Sequence, residues 1–192
     1  MPAPALLLIP FILPLLKKRH TTGRIGETNV GSHKHKGTDV DLYSDDDRTN
    51  RLKELQGIPY SFGAGDPSTP FGQPVKGIHG GLGLDCSGLA QMALVALGYL
   101  DASAPDRGAA ALSVLGTLVP NGKQEVGDLI FYNTPVSHVG VILTDADENG
   151  DSAVIAASGG HSTTNGNDPN ARVKVFATMK ADNARFIRRI RL

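Results

Sequence analysis

A single cysteine, Cys86, is present among the 192 residues, in the segment GLDCSGLAQMALVALG that begins at Gly83. Apolar residues follow it at three- and four-residue steps, which predicts a helix with one buried face. Asp85 is suited to cap this helix and Gly98 to end it, so Cys86 falls in the first turn. Backbone N–H groups and the helix dipole favour a thiolate there. The position therefore favours a reactive thiol, although a small buried residue would satisfy the same pattern.

A nucleophilic thiol needs a base, and His138 is the best candidate among the six histidines. It opens the β-rich segment SHVGVIL, so a strand facing the start of the cysteine helix would present its imidazole to the thiol. His161 follows a later β-rich segment and is a candidate for a supporting role. The two residue types together predict acyl-transfer chemistry on an amide.

The remaining sequence predicts the elements that hold these residues. A short helix is expected from Arg48 to Gln56, and a further helix from Asp106 to Leu115. Beyond it, turn residues separate the short β-rich runs DLIFY, SHVGVIL, SAVIAAS, RVKVFAT and RFIRRIRL, and Asn149-Gly150 is a strong hairpin signal. Helices gathered before an antiparallel sheet indicate an α+β fold.

Five segments, in order, resemble the motifs of the NlpC-like (NlpC/p-sixty) cysteine peptidase family: GIPYSFGAG, LDCSGLAQ, VGDLIFY, SHVGVIL and VIAASGG. The resemblance spans about residues 48 to 192. It implies a reduced papain-like fold, in which N-terminal helices pack on an antiparallel sheet. It also implies hydrolysis of peptidoglycan stem peptides, often at the bond following D-glutamate. We expect no cofactor and no metal ion.

Carried over by motif, the resemblance implies a role for each of five residues. Cys86 would be the nucleophile, and His138 the general base and acid. Tyr60 would line the site and assist at the oxyanion. Asp85 and Ser87 would help to hold the free amino end of a stem peptide, although capping the helix explains Asp85 equally well.

One position departs from the family pattern. Ala156 stands where the family commonly has a histidine or another polar residue, which orients the catalytic imidazole. Ser158, His161, a water or a backbone carbonyl are the alternatives for that role, or the enzyme is weak. We favour His161.

Three other segments suggest functions for which simpler interpretations exist. The polar stretch HKHKGTDVD contains metal-ligand residue types but lacks a repeated ligand spacing, which is typical of a flexible arm. DADENGD, from Asp145 to Asp151, resembles half of a calcium loop, but Ala156 replaces the glutamate of its twelfth position, so we favour a hairpin turn. The C-terminal arginines would contact anionic wall polymer or protect an edge strand by charge; they are Arg188, Arg189 and Arg191.

Residues 1–20 are apolar from Ala5 to Leu16 and then basic from Lys17 to Arg19. A secretory signal has the opposite order, and a membrane span needs ~20 apolar residues, so neither is expected. Docking to a partner protein, shallow membrane insertion and a disordered tail remain open, and we favour docking. We divide the chain into an apolar peptide and polar arm, residues 1–47, and a catalytic domain, residues 48–192.

Nineteen basic and nineteen acidic side chains cancel, which disfavours nucleic-acid binding. The sequence predicts a cysteine endopeptidase of peptidoglycan that acts at the bacterial cell wall or periplasm. Delivery by a machine such as a bacteriophage tail is expected, with residues 1–20 as the anchor. The alternatives are a weak or inactive wall-binding or structural module of a larger assembly, and an amidase or acyltransferase on the same fold.

Overall fold

The computed structural model describes residues 45–178 and 184–191. Within these ranges it has the helices α1 (Asp45–Lys53), α2 (Cys86–Ala96) and α3 (Ala109–Leu112) and the strands β1 (Val75–Lys76), β2 (Leu82–Gly83), β3 (Thr117–Val119), β4 (Leu129–Tyr132), β5 (His138–Ile142), β6 (Val154–Ser158), β7 (Arg172–Phe176) and β8 (Ala184–Arg189). The predictions for the apolar peptide and for the polar arm up to residue 44, including the HKHKGTDVD stretch, lie outside these ranges. The domain division at residue 47 stays a prediction.

The first helix is confirmed, with shifted ends. It begins at Asp45, where three consecutive aspartates occupy the first turn, and ends at Lys53. Carboxylates in a first turn are stabilised by the helix dipole, which explains the earlier start. The end is earlier too, because the Leu55 N–H bonds to the Leu52 carbonyl three residues back, at 3.1 Å, and so tightens the chain into a turn. Both leucines are fully buried.

The cysteine helix α2 is confirmed with the predicted caps. Asp85 has an extended backbone, and its carboxylate accepts the N–H of Gly88 at 2.7 Å. Gly98 follows the last turn with a φ of +74°, which only glycine adopts at low cost. Leu89 and Met92 are among the buried residues of the helix, so its apolar face anchors the first turn, and Cys86 with it, against the sheet.

The third helix is much shorter than predicted, with four residues. The buried amide of Gln91 on α2 explains the late start, because it holds the preceding segment in an extended form. Its Nε2 donates to the Asp106 carboxylate at 2.8 Å, and its Oε1 accepts the Arg107 N–H at 2.9 Å. The helix therefore begins only at Ala109.

The main sheet has six strands in the order β3-β8-β4-β5-β6-β7, and its neighbouring strands are antiparallel. This confirms the predicted α+β fold with an antiparallel sheet. The hairpin predicted at Asn149-Gly150 joins β5 to β6, where the Asp147 carboxylate accepts the N–H groups of Asn149 at 2.9 Å and Asp151 at 2.8 Å. The segment that resembled half of a calcium loop thus uses a carboxylate to close a turn.

The prediction that the last strand lies at a sheet edge is wrong, because β8 lies between β3 and β4. Its arginines contact the domain itself. Arg189 forms a two-point ion pair with Asp128, which is fully buried, at 3.0 and 2.9 Å, and Arg191 stacks 3.5 Å above the centre of the Tyr99 ring. The Arg188 guanidinium lies 5.6 Å from the centre of the Phe186 ring. These contacts explain the arginines without a wall polymer.

Apolar side chains cover both faces of the sheet, since successive residues of a strand point to opposite faces. Leu129 and Phe131 of β4 pack in the large cluster that includes α2, whereas Ile130 belongs to a smaller cluster with Ile142. The large cluster fixes α2 against β5 and β6 and so sets the start of α2 beside the start of β5. Within the described ranges, no helix is long and apolar enough to cross a membrane.

Candidate active site

Cys86 is the first residue of α2, so its backbone N–H has no acceptor within the helix and can point toward a ligand. The side chain is 8% exposed. Burial and the Asp85 carboxylate raise the pKa of the thiol to about 11, and the backbone of Val139 on β5 opposes this shift. Contact with Val139 places the sulfur beside the residue that follows His138.

His138 begins β5, where it pairs across the ladder with Tyr132 of β4. Burial lowers the pKa of its imidazole, because the charged form loses its hydration. Among the residues that the structure describes, none makes a hydrogen bond to the His138 ring. Its ring lies against the Tyr132 ring, with 5.5 Å between the two centroids.

The two pKa shifts together favour a neutral thiol beside a neutral imidazole before substrate binds. Burial destabilises both charged forms, which outweighs the stabilisation of a thiolate expected from the helix start. The two directions therefore do not favour an ion pair between a Cys86 thiolate and a His138 imidazolium.

Cys86 and His138 line the same cleft, which has a volume of about 370 Å³. Its walls come from the glycine loop after α1, the turn between β4 and β5, and the end of β6 with the loop that follows. The lining residues are Tyr60, Phe62, Cys86, Asn133, Ser137, His138, Ala157, Ser158, Gly159, Gly160, His161 and Ser162. Polar but uncharged groups therefore dominate the walls, which suits hydrogen bonding to a peptide.

Tyr60 forms one wall of the cleft and is held at two points. Its N–H donates to the Ala171 carbonyl at 2.8 Å, and its backbone forms a bridge with Leu84, just before Asp85. Burial first, then the nearby Cys86 and Asp85, raise the pKa of its phenol, so the hydroxyl keeps its proton. A protonated hydroxyl beside the sulfur can donate to an oxygen of a bound substrate.

Asp85 and Ser87 flank the cysteine but do not line the cleft. The Asp85 carboxylate accepts from the Ser87 hydroxyl at 2.9 Å and from the backbone N–H of Gly63 at 3.0 Å, in addition to its cap on Gly88. Burial raises the pKa of Asp85 although these hydrogen bonds oppose the shift. Through these contacts Asp85 joins the glycine loop to α2.

His161 lines the mouth of the cleft, and the structure does not bring it into a hydrogen bond with His138. Its Nδ1 lies 2.9 Å from the Thr163 hydroxyl and accepts the Thr163 N–H at 3.4 Å. A backbone N–H can only donate, so the neutral ring carries its proton on Nε2. The contact needed for His161 to orient His138 is thus absent among the described residues.

Ala156 lies on β6, paired with Lys174 of β7, and is 3% exposed. A β-carbon on Gly140 would lie 3.4 Å from the Ala156 methyl group, which places Ala156 on the same side of the sheet as Gly140 of β5. Ala156 offers no polar atom from its side chain to the imidazole. Ser158, at the end of the same strand, is the other hydroxyl-bearing candidate and lines the cleft.

Sequence reasoning missed the turn between β4 and β5. Asn133 has a φ of +70°, and its amide donates to the Ser137 hydroxyl at 2.8 Å, so both residues reach the cleft next to His138. Asparagine tolerates positive φ better than other side chains do, and it precedes Thr134-Pro135 here. An asparagine two residues before a proline, between two strands, is the signal that could have indicated this turn.

Metal-ligand residue types do not converge at the cleft. Across residues 45–178 and 184–191, no group of three or more histidine, cysteine or acidic side chains could hold a metal ion.

Residues 57–177 match the model of the NlpC/P60 family. The match covers more than half of the chain, and it contains every segment that lines the cleft, including the helix with Cys86 and the strand with His138. The chain therefore belongs to the NlpC/P60 family. This finding confirms the resemblance carried by the five sequence segments.

Solved structures of the same family superpose on this fold. The peptidoglycan hydrolase RipB from Mycobacterium tuberculosis is 27% identical with a TM-score of 0.55, over 77% of this chain and 65% of RipB. The P60 domain of an antigen from Mycobacterium avium subspecies paratuberculosis is 26% identical with a TM-score of 0.55, over 77% of this chain and 95% of that domain. The papain-like α+β fold is thereby confirmed.

RipD from Mycobacterium tuberculosis, described as a non-catalytic NlpC/p60 domain protein adapted to peptidoglycan binding, shares the fold. It is 23% identical with a TM-score of 0.53, over 76% of this chain and 95% of RipD. This chain spans about 65% of RipB, so it matches a part of that protein. No curated protein sequence matches the chain.

Proposed function

We propose that this protein is a cysteine peptidase that hydrolyses stem peptides of peptidoglycan. The observation that carries the proposal is the meeting of Cys86, at the start of α2, and His138, at the start of β5, in one cleft. Family membership and the likeness to RipB, a peptidoglycan hydrolase, support a wall peptide as the substrate.

In the proposed reaction, the Cys86 sulfur attacks the scissile carbonyl as its proton passes to the His138 imidazole. The carbonyl oxygen becomes an oxyanion, which accepts from the Cys86 N–H and the Tyr60 hydroxyl. The C–N bond breaks when His138 gives its proton to the leaving amine, which leaves a thioester on Cys86. Water, deprotonated by His138, then hydrolyses the thioester and restores the thiol.

The bond following D-glutamate is the one that we propose is cleaved, as the family motifs imply. Asp85 and Ser87 do not line the cleft, so in this arrangement the Asp85 carboxylate, which accepts from the Ser87 hydroxyl and caps α2, attracts the free amino end of the stem peptide through its charge beside Tyr60. The acidic Asp85 next to Tyr60 supplies the negative charge for an ammonium group.

Digestion of purified sacculi, followed by mass analysis of the soluble fragments, tests the proposal. Wild type should release peptides with a new amino terminus after D-glutamate, whereas Cys86→Ala and His138→Ala should release none. Val114→Ala is the matched control, because Val114 is 72% exposed and outside the cleft. Identical fragments from wild type and Cys86→Ala would exclude Cys86 as the nucleophile.

A non-catalytic wall-binding module is the second candidate function. The observation in its favour is the His138 ring, which has no hydrogen-bond partner among the described residues, while Ala156 occupies the position where the family commonly has a polar side chain. Sedimentation with sacculi separates the two functions. A wild type that sediments with sacculi as Cys86→Ala does, and yields no fragments, would be a binding module.

Amide chemistry of another kind would use the same cysteine and histidine. Adding glycine or hydroxylamine to the digestion distinguishes an acyltransferase from a hydrolase. An acyltransferase passes the acyl group of the thioester to the added amine, and a hydrolase passes it to water. An amidase would release an amine other than a peptide. We propose hydrolysis of a peptide as the main reaction.

Delivery by a larger machine such as a bacteriophage tail is also part of the proposal, with residues 1–20 docked on a partner protein. It rests on the order of residues in the sequence, an apolar stretch followed by three cations. Deleting residues 1–20 should abolish association with the bacteriophage particle and leave hydrolysis of sacculi by the purified protein unchanged. Retained association would contradict the docking role.

A further inference from the structure

The ring nearest to the His138 imidazole belongs to Tyr132. The two residues are direct partners in the ladder between β4 and β5. Their ring centroids lie 5.5 Å apart and their planes are inclined by 40°. This separation falls within the range of about 4.5–7 Å for aromatic pairs, so the two rings are in contact.

Tyr132 is itself held in place from several sides. It packs with Val119 of β3 and Ala184 of β8 on the smaller apolar cluster of the sheet. The pairing of β4 with β8 shifts register between Phe131 and Tyr132. Such irregularities bend a strand and re-aim the side chain beside them. Tyr132 is therefore a fixed surface, whereas the imidazole against it has two rotatable bonds.

The usual polar means of fixing a catalytic imidazole is missing from the described residues. Ala156 has no polar side-chain atom, and Nδ1 of His161 is engaged with Thr163. Packing against the Tyr132 ring is an apolar restraint on His138 that the structure does show. Burial also raises the pKa of the Tyr132 phenol to about 12, so a neutral ring faces the imidazole throughout the working pH range.

We propose that Tyr132 is a positioning residue, whose ring limits the rotation of the His138 imidazole and keeps it directed toward Cys86. The proposal rests on the peptidase function proposed above. Its role is to act through His138, since Tyr132 is not among the residues that line the cleft. Loss of the ring would let the imidazole populate rotamers that cannot take the thiol proton.

Kinetics of the full chain on a synthetic stem peptide test this role. Tyr132→Phe keeps the ring, so kcat should stay within about twofold of wild type, whereas Tyr132→Leu should lower kcat about tenfold and leave KM within about twofold. Phe186→Leu is the matched control, because Phe186 stacks on Phe131 at 5.3 Å and not on His138. It should lower the melting temperature and leave kcat unchanged.

Proton NMR of the His138 ring provides a readout that needs no hydrolysis. The C–H signals of His138, assigned by their loss in His138→Gln, should carry a ring-current shift in wild type and Tyr132→Phe and lose it in Tyr132→Leu. Unchanged signals in Tyr132→Leu, or a kcat within about twofold of wild type, would overturn the proposal. If wild type hydrolyses no peptide, the proposed function fails, and the couplings of the His138 β-protons, which report its rotamer, still decide whether Tyr132 fixes the imidazole: averaged couplings in Tyr132→Leu support the positioning role, and unchanged couplings contradict it.

Discussion

Gly160 lies directly against the ring of Tyr60, so any β-carbon at position 160 would overlap that ring. The glycine allows the loop after β6 to cross the wall of the cleft without displacing the tyrosine. The absence of a side chain at Gly160 therefore defines the shape of the cleft at Tyr60.

Gly160→Ala should impair the cleft more than it impairs the fold. The added methyl group forces Tyr60 or the loop to move, so we expect kcat/KM to fall at least tenfold and stability to fall by about 1–3 kcal/mol. Gly108→Ala is the control, because a β-carbon there meets no atom within 4 Å. Steady-state kinetics and urea unfolding measure both effects. Wild-type kinetics in Gly160→Ala would show that Tyr60 has no part in the reaction.

His161 should affect substrate binding and not the orientation of His138. The proton on Nε2 makes the neutral ring a donor at the mouth of the cleft, so His161→Ala should raise KM about fivefold with kcat little changed, the value of about one hydrogen bond. His161→Gln should retain most of the binding, because its amide nitrogen can replace Nε2. A large fall in kcat at constant KM would instead support the orienting role favoured from the sequence.

The pH dependence of the rate of Cys86 alkylation should show a high apparent pKa. Because burial raises the pKa of the thiol to about 11 and lowers that of His138, the thiolate fraction is small at neutral pH and grows as pH rises through 9 to 11. The rate with iodoacetamide should therefore be slower than that of free cysteine at pH 7 and should still be rising at pH 10. His138→Gln is the control and should give a similar profile. A fast plateau near pH 6 would indicate a preformed ion pair.

The sequence predicts the framework of this site well, because local signals determine it. Asp85 as a cap and Gly98 as a terminator fix α2 with Cys86 in its first turn, as the structure confirms. The β-rich runs with polar turns between them define the antiparallel strands, including β5 with His138. These features depend on residues within a few positions of one another.

Long-range pairing is what the sequence could not predict. The arginine-rich end of the chain is typical of an edge strand, yet β8 is inserted between β3 and β4, because Asp128 offers it a buried carboxylate. The environment of His138 also depends on long-range pairing, because the register between β4 and β5 places Tyr132 opposite His138. His161 is near in the sequence to Ala156, where an orienting residue is expected. Thr163 in the turn of His161 instead engages the His161 Nδ1.

The pair of Asp128 and Arg189 should account for a large part of the stability of this end of the sheet. Asp128 is fully buried and also accepts the Glu125 N–H at 2.9 Å, while Arg189 reaches it from β8. Arg189→Met removes the two-point partner of a buried carboxylate and leaves Arg191, at 3.8 Å, as its remaining cation, so it should cost up to about 3–5 kcal/mol of unfolding free energy. Hydrolysis by the folded fraction should be unchanged, since neither residue lines the cleft.

Urea unfolding followed by circular dichroism measures this cost, and Asp45→Asn is its matched control. Asp45 pairs with Arg48 at 3.3 Å, but its side chain is 64% exposed, so its loss should cost no more than about 0.5 kcal/mol. The double variant Asp128→Asn with Arg189→Met should recover part of the loss, because the uncompensated charge is gone. Equal costs for Arg189→Met and Asp45→Asn would mean that solvent reaches Asp128, and that β8 is held in the sheet by its backbone ladder and Ile187 alone.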